Sequence, residues 1–431
     1  MKKFSLFKAL LTFSFIAIGN ASQSQNPINE NPVVIAAKKE TSYARHNLRI
    51  TAVAFSPDGK RIASAGGDRV KVTDLLTGKE ILKLKNSNGM SFFSVVYSND
   101  GRWLIGSQSK LKEYKTIRQG KYNITTLFYI GETTIWDAQT GTIQATINDN
   151  DNPSWRLAMS PDGKTLAIGT GLTLPKDKDC HKEICDGFGE VLLVDTTTWK
   201  IRTRLKGKAH PLRVLTFSPD GKMLAASSGI LEGPGSLKGS EEFEALVWDV
   251  ETGELQKNLP HHARAIMAIA FSPDGKLLAT SSIDRTLRMW DAQTFELACT
   301  SSGYTISYEE METIAGQAGK KKAKDILPKV SWLSSLVFSA DSKTIMGNGG
   351  DGIIRFYQSD SGKLSRIFKP RDWPIMSWNS NWDSVDLQVF RLRMGAGFAP
   401  NLRSNPMALA PDAKVLATGG ADGKIRLMSL D

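Results

Sequence analysis

The chain has 431 residues, with 55 Lys and Arg against 44 Asp and Glu, a net charge of +11. No polar tract is long enough to form a disordered domain, and outside the leader no apolar run reaches 18 residues, the length that signals a membrane span. A basic balance either favours anionic partners or simply keeps a chain of this size in solution.

Met1–Ala21 has the plan of an export signal. Lys2, Lys3 and Lys8 charge its start, Ala9–Ile18 is apolar but too short to cross a bilayer, and Gly19 and Ala21 are small residues at a cleavage site. Cleavage after Ala21 is expected, and no Cys follows the apolar run to carry a lipid. Losing the leader lowers the net charge to +8. The mature chain is expected to be exported, periplasmic or extracellular, and not an integral membrane protein. Its anionic partners there are envelope polymers, lipids or acidic proteins, and not nucleic acid. Residues 22–31 are polar and are expected to be disordered. The apolar Val33–Ala37 follows.

From about residue 45 onward one pattern recurs. It is clearest in His262–Thr300, where four short strand-like runs, beginning at Ile266, Leu277, Thr286 and Phe295, are separated by turn signals. Ser272-Pro273-Asp274-Gly275 places Ser, Pro and Gly where a type I turn prefers them. Equivalent turns begin at Ser56, Ser98, Ser160, Ser218, Ser339 and Ala410. The third run ends in Trp136-Asp137, Trp248-Asp249 and Trp290-Asp291, with degenerate ends near Asp74, Asp195, Tyr357 and Met428.

Seven such turns in phase with Trp-Asp ends resemble the WD40 repeat family. The resemblance implies an all-β fold, a seven-bladed β-propeller of four-stranded blades spanning residues 32–431. It also implies a structural hydrogen-bonded tetrad of His262, Thr280, Asp284 and Trp290. His46, Ser64 and Asp68 match it in the first repeat, where Thr73 replaces Trp. Thr418 and Asp422 match in the last, where Met428 does. The last repeat stops one strand short at Lys424–Leu430. An open ring would expose two sheet edges, so the ring is expected to be closed by an N-terminal strand, Val33–Ala37.

Five connections are long: 107–130, 171–188, 229–243, 301–329 and 369–405. Strands in a meander alternate in direction, so the first three (b–c) and the last two (d–a) share one face of the disc. Insertions in repeat folds map to one face, often the binding face. The 107–130 insertion interleaves Lys110, Lys112, Lys115, Arg118 and Lys121 with Tyr114, Tyr122, Phe128 and Tyr129, either a binding strip or a long hairpin with a solvated face. Cys180 and Cys185 in 171–188 suggest a small loop disulfide, which an oxidising compartment permits. Ser307-Tyr-Glu-Glu310, followed by Lys320–Lys322, signals a short amphipathic helix. Trp373, Trp378, Trp382 and Phe398 in 369–405 either pack that loop onto the propeller or bind a partner; with Tyr114 and Tyr122 they are the candidate binding residues.

No G-x-x-x-x-G-K-[ST], H-E-x-x-H or G-x-S-x-G is present, so no catalytic residue, metal ligand or cofactor is assigned. Two functions remain. The first is a non-catalytic exported scaffold that binds a protein partner or an anionic envelope polymer. The alternative is a propeller enzyme, such as a metal-dependent lactonase or hydrolase, with its site at the channel mouth.

Overall fold

The structure, a computed structural model, describes residues 33–35, 40–43, 46, 49–67, 69–85, 90–119, 122–149, 154–173, 188–207, 212–228, 244–259, 262–302, 332–349, 353–368, 406–420 and 423–430. Among the described residues there is no helix. Two short strands come first, β1 (Val33–Ile35) and β2 (Glu40–Tyr43). Blade one is β3 (Ile50–Phe55), β4 (Arg61–Gly66), β5 (Arg69–Asp74) and β6 (Glu80–Lys85). Blade two is β7 (Ser91–Tyr97), β8 (Trp103–Gln119), β9 (Tyr122–Asp137) and β10 (Ile143–Asp149). Blade three is β11 (Ser154–Met159), β12 (Thr165–Thr173), β13 (Phe188–Asp195) and β14 (Lys200–Lys206). Blade four is β15 (Leu212–Phe217), β16 (Met223–Ser228), β17 (Ala245–Asp249) and β18 (Leu255–Leu259). Blade five is β19 (Ile266–Phe271), β20 (Leu277–Ser282), β21 (Thr286–Asp291) and β22 (Leu297–Ser302). Blade six is β23 (Leu333–Phe338), β24 (Thr344–Gly349), β25 (Ile354–Gln358) and β26 (Leu364–Phe368). Blade seven has β27 (Met407–Leu409), β28 (Val415–Gly419) and β29 (Ile425–Ser429). Within each blade the strands pair in sequence order, antiparallel, as a to d. The molecule is a seven-bladed β-propeller.

The a–b turns fold as they do because Ser and Asp satisfy the turn's own backbone. Ser272 Oγ donates to Asp274 Oδ1 at 2.6 Å and accepts from Leu277 N at 2.9 Å, while Lys276 N donates to Asp274 Oδ1 at 3.1 Å. Ser56, Ser98, Ser160, Ser218 and Ser339 make the same bond to Asp58, Asp100, Asp162, Asp220 and Asp341. Gly275, last in its turn, sits at φ +70, and the two repeats without that Gly hold Ser342 and Ala413 in the same left-handed region at 62 and 58. The Asp of the Trp-Asp end closes the c–d turn. Asp291 Oδ1 accepts from the backbone N–H of Gln293 and Thr294 and from the Thr294 hydroxyl. Asp137, Asp195 and Asp249 do likewise in their blades.

The core lies between blades. Among the described residues seven apolar clusters are present, one at each boundary, and the seventh joins Ile50, Val53 and Ile62 of blade one to Ala417 and Ile425 of blade seven. Strand a alternates accordingly. Val53, Val95, Leu157, Leu215, Ile269, Leu336 and Met407 are buried, each in a different boundary cluster. The residues next in sequence to these, Ala54, Val96, Ala158, Thr216, Ala270, Val337 and Ala408, are less buried. Burying such side chains is the main driving force, about 25 cal/mol per Å² of apolar surface.

The ring is closed by an N-terminal strand, but not by Val33–Ala37. β2 pairs antiparallel with β29, from Glu40↔Met428 to Tyr43↔Ile425, and so is strand d of blade seven. β1 instead pairs parallel with β26, making blade six five-stranded. The reason is visible in the other outer strands. β6 and β18 are mostly exposed, so a d strand is polar, as Glu40-Thr-Ser-Tyr43 is and Val33–Ala37 is not. Spacing gives the same answer: Leu259, at the end of β18, precedes His262 by three residues, and Tyr43 precedes His46 by three.

Candidate functional site

The four tetrad residues meet in blade five. Trp290 Nε1 donates to Thr280 Oγ1 at 3.0 Å. Thr280 Oγ1 lies 2.8 Å from His262 Nε2, and His262 Nδ1 lies 3.0 Å from Asp284 Oδ2. The carboxylate can only accept, which orders the rest: Nδ1–H donates to Asp284, so Nε2 of the neutral ring accepts from the Thr280 hydroxyl, whose oxygen accepts the indole N–H. Asp284 also accepts from Ala263 N at 2.9 Å and from the Thr286 hydroxyl at 2.7 Å. Burial works to raise the Asp284 carboxyl, but the hydrogen bonds from His262 and Thr286 outweigh it and hold it well below the usual carboxylate range. With His262 and Thr280 buried, this is a fully used network that pins strands, with no group left to act on a substrate.

Elsewhere the network is partial. In blade one His46 Nε2 lies 2.7 Å from Ser64 Oγ, but Thr73, at the Trp position, buries a hydroxyl with no partner. Asp68 and Asp422 lie outside the described residues. In blade two Gly106 stands in the Thr280 position, and a Cβ added there would lie 2.8 Å from the Trp136 ring. Blades two, three and four share another device. Their b–c connections are long, unlike that of blade five. Glu132, Glu190 and Glu244 stand instead five residues before the Asp that ends strand c. Glu132 Oε1 accepts from Gln108 Nε2 at 2.5 Å and from Thr134 Oγ1 at 3.0 Å. Glu190 pairs with Arg204 at 3.1 Å. Glu132 and Glu190 place the carboxylate in strand c itself, and sequence reading had no signal for it beyond that recurring offset.

The insertion face is built on these strand ends. The 107–130 segment is a long hairpin, with β8 and β9 paired from Trp103↔Asp137 to Gln119↔Tyr122. Tyr114 is opposite Leu127 in it, and Tyr122 opposite Gln119. Trp373, Trp378, Trp382 and Phe398 lie outside the described residues, as do Cys180 and Cys185, residues 1–31 and the segment read as a helix from Ser307. Cys299 in β22 is a half-buried free thiol, its pKa pushed up by burial. Among the described residues no helix is long and apolar enough to cross a membrane.

Comparison with known proteins defines the class. The family model for the WD domain, G-beta repeat, matches residues 37–74 and 253–291. Both matches run from an outer strand into the a, b and c strands of the next blade, so each unit straddles two blades. The chain is similar to WD repeat-containing protein SL1-17 of Schistosoma mansoni, 30% identical over 159 residues, 37% of this chain and 43% of that protein. It is similar to Periodic tryptophan protein 2 of Arabidopsis thaliana, 23% identical over 328 residues, 75% of this chain and 30% of that protein. It is also similar to COMPASS component SWD3 of Saccharomyces cerevisiae, 24% identical over 217 residues, 50% of this chain and 52% of that protein. The chain thus spans roughly a third to a half of these relatives' lengths. The chain thus carries WD40 repeats and is similar to WD repeat proteins.

Proposed function

We propose that this protein is a non-catalytic scaffold whose insertion face binds a protein partner. One observation carries the reading. All five long connections leave from the b–c and d–a side of the disc, while the a–b and c–d turns on the other side are short and alike. Rigid blades that present variable loops on one side are suited to recognition. The relatives support a scaffold role, since one of them is named as a component of COMPASS.

The aromatic 369–405 insertion is the first contact region, and Tyr114 and Tyr122 of the hairpin are the second. The leader-like Met1–Ala21 supports an exported protein, periplasmic or extracellular, and the basic balance supports an acidic protein or an anionic envelope polymer as ligand. Replacing residues 369–405 with a short Gly-Ser linker should leave the thermal midpoint within a few degrees and abolish partner recovery after crosslinking. Undiminished recovery removes the assignment. Cell fractionation with N-terminal sequencing tests export, with Ser22 as the expected first residue.

A further inference from the structure

Blade six departs from its own repeat at one residue of its outer strand. In the other six blades, the residue three before the end of strand c pairs with Lys83, Thr146, Arg204, Asn258, Thr300 or Ser42 of the outer strand, all polar. In blade six the pair is Arg355 with Ile367. Lys83, Thr146, Arg204 and Thr300 are exposed, whereas Ile367 is fully buried. Those four stand in four-stranded blades. Ile367 stands in the blade with a fifth strand, where Val34 of β1 is its partner.

β1 is a short occupant of that edge. It pairs with Arg366–Phe368, three of the five residues of β26, and its own far edge carries no strand among the described residues. Leu364 and Ser365 have no partner on the β1 side among the described residues. Pro32, next before Val33 in the chain, has no N–H to give a ladder. Ring closure does not need β1, because β2, which begins after four intervening residues, is strand d of blade seven. Val33, Val34 and Ile35 are all β-branched, the residue type that favours a strand. An edge that holds them over an apolar Ile367 is suited to an extended, apolar chain running parallel to β26.

We propose that the outer edge of blade six is a docking site for an extended segment of a partner protein, one with consecutive β-branched residues and no proline, which displaces β1 and pairs along all of β26. In strand addition, main-chain hydrogen bonds supply affinity, and the side chain set opposite Ile367 supplies selectivity. β1 is the built-in competitor, held by its tether at an effective concentration on the order of millimolar. The site is an outer strand and not an insertion, and it does not rest on the scaffold reading.

The probe is a fluorescent peptide of residues 29–37 carrying Pro32→Val, titrated into the full chain and read by anisotropy. Val34→Asp in the chain weakens β1 in place and should tighten peptide binding at least about tenfold, because the tethered competitor is lost. Adding Ile367→Thr, the residue type that blades two and five hold there, should weaken it again by roughly fivefold through lost apolar burial. A peptide that itself carries Val34→Asp should not bind either chain, a contrast that holds even where a protein variant fails to fold. Hydrogen exchange at residues 364–368 should slow when the peptide binds. Equal affinity of the unaltered and Val34→Asp chains overturns the proposal, as does no saturable binding or protection that falls elsewhere than β26. So does a sedimenting dimer of the unaltered chain that Val34→Asp abolishes, since that seats a second copy's residues 33–35 on the edge.

Discussion

Two threonines at buried strand positions should respond in opposite directions to the same isosteric change. Thr280→Val removes the hydroxyl that accepts from Trp290 Nε1 at 3.0 Å and sits 2.8 Å from His262 Nε2. Both partners are buried, Trp290 at 2% and His262 at 4% exposure, so water cannot replace the lost bonds. Leaving a buried polar group unsatisfied costs about 1–3 kcal/mol, and two are orphaned, partly offset by the hydroxyl no longer being desolvated. The expected loss is about 2–4 kcal/mol. Unfolding entropy near 2.1 cal/mol/K per residue over about 400 residues makes this only about 2–5 °C in midpoint if the ring unfolds as one unit, so urea titration with a measured m-value is the better assay. Thr73→Val in blade one is the control. Its hydroxyl is buried with no partner, so removing it should be neutral or stabilising by up to about 1 kcal/mol. A Thr280→Val loss below about 0.5 kcal/mol, or a Thr73→Val loss of equal size, refutes the view that the tetrad pins blade five.

Backbone, packing and pH offer further checks. Ala413→Gly relieves an alanine at φ 58 and should stabilise by about 0.5–1 kcal/mol, because the left-handed penalty exceeds glycine's entropy cost; a urea midpoint that falls contradicts the turn reading. Gly106→Ala drives a Cβ to 2.8 Å from the Trp136 ring and should cost about 1–3 kcal/mol by overpacking, measured the same way. Truncation to begin at residue 39 keeps β2 and should lower the thermal midpoint far less than truncation to begin at residue 45, which removes it; equal effects contradict closure by β2. The a–b turn carboxyls of Asp58, Asp100, Asp162, Asp220, Asp274 and Asp341 are held below the normal range chiefly by Ser hydroxyls, and the c–d turn carboxyls of Asp74, Asp137, Asp195, Asp249 and Asp291 by backbone N–H groups. A folded pKa below the unfolded one stabilises at pH above about 4 and loses that contribution as pH falls through the folded value. The urea midpoint should therefore be flat from about pH 5 to 7 and drop below about pH 4; a rise in acid contradicts it.

The sequence reading reached the fold because turn chemistry is local. Ser272, Asp274 and Gly275 satisfy one another within a few residues, so their pattern survives in the bare sequence. Blade boundaries and the tetrad of His262, Thr280, Asp284 and Trp290 were legible for the same reason: they sit at fixed offsets from those turns. Closure was misassigned because apolar character was weighed above register. Val33–Ala37 looked more like a strand than Glu40–Tyr43, yet an outer strand bonds on one side and needs no apolar run. The three-residue offset from His46 carried the right answer. Gln108, Glu132 and Thr134 were not legible, since they converge only when β8 pairs with β9.

Partner-bound crosslinking with a lysine-reactive reagent tests the central claim, because lysines label both faces. Lys60, Lys164, Lys222, Lys276, Lys343 and Lys414 follow the a–b turns and are exposed on the face of short turns. Lys110, Lys112, Lys115, Lys176, Lys178, Lys182 and Lys320–Lys322 belong to the insertions. Mass spectrometry of the captured complex should place partner crosslinks on the insertion lysines and leave the six turn lysines free. Crosslinks concentrated on the turn lysines would contradict the account.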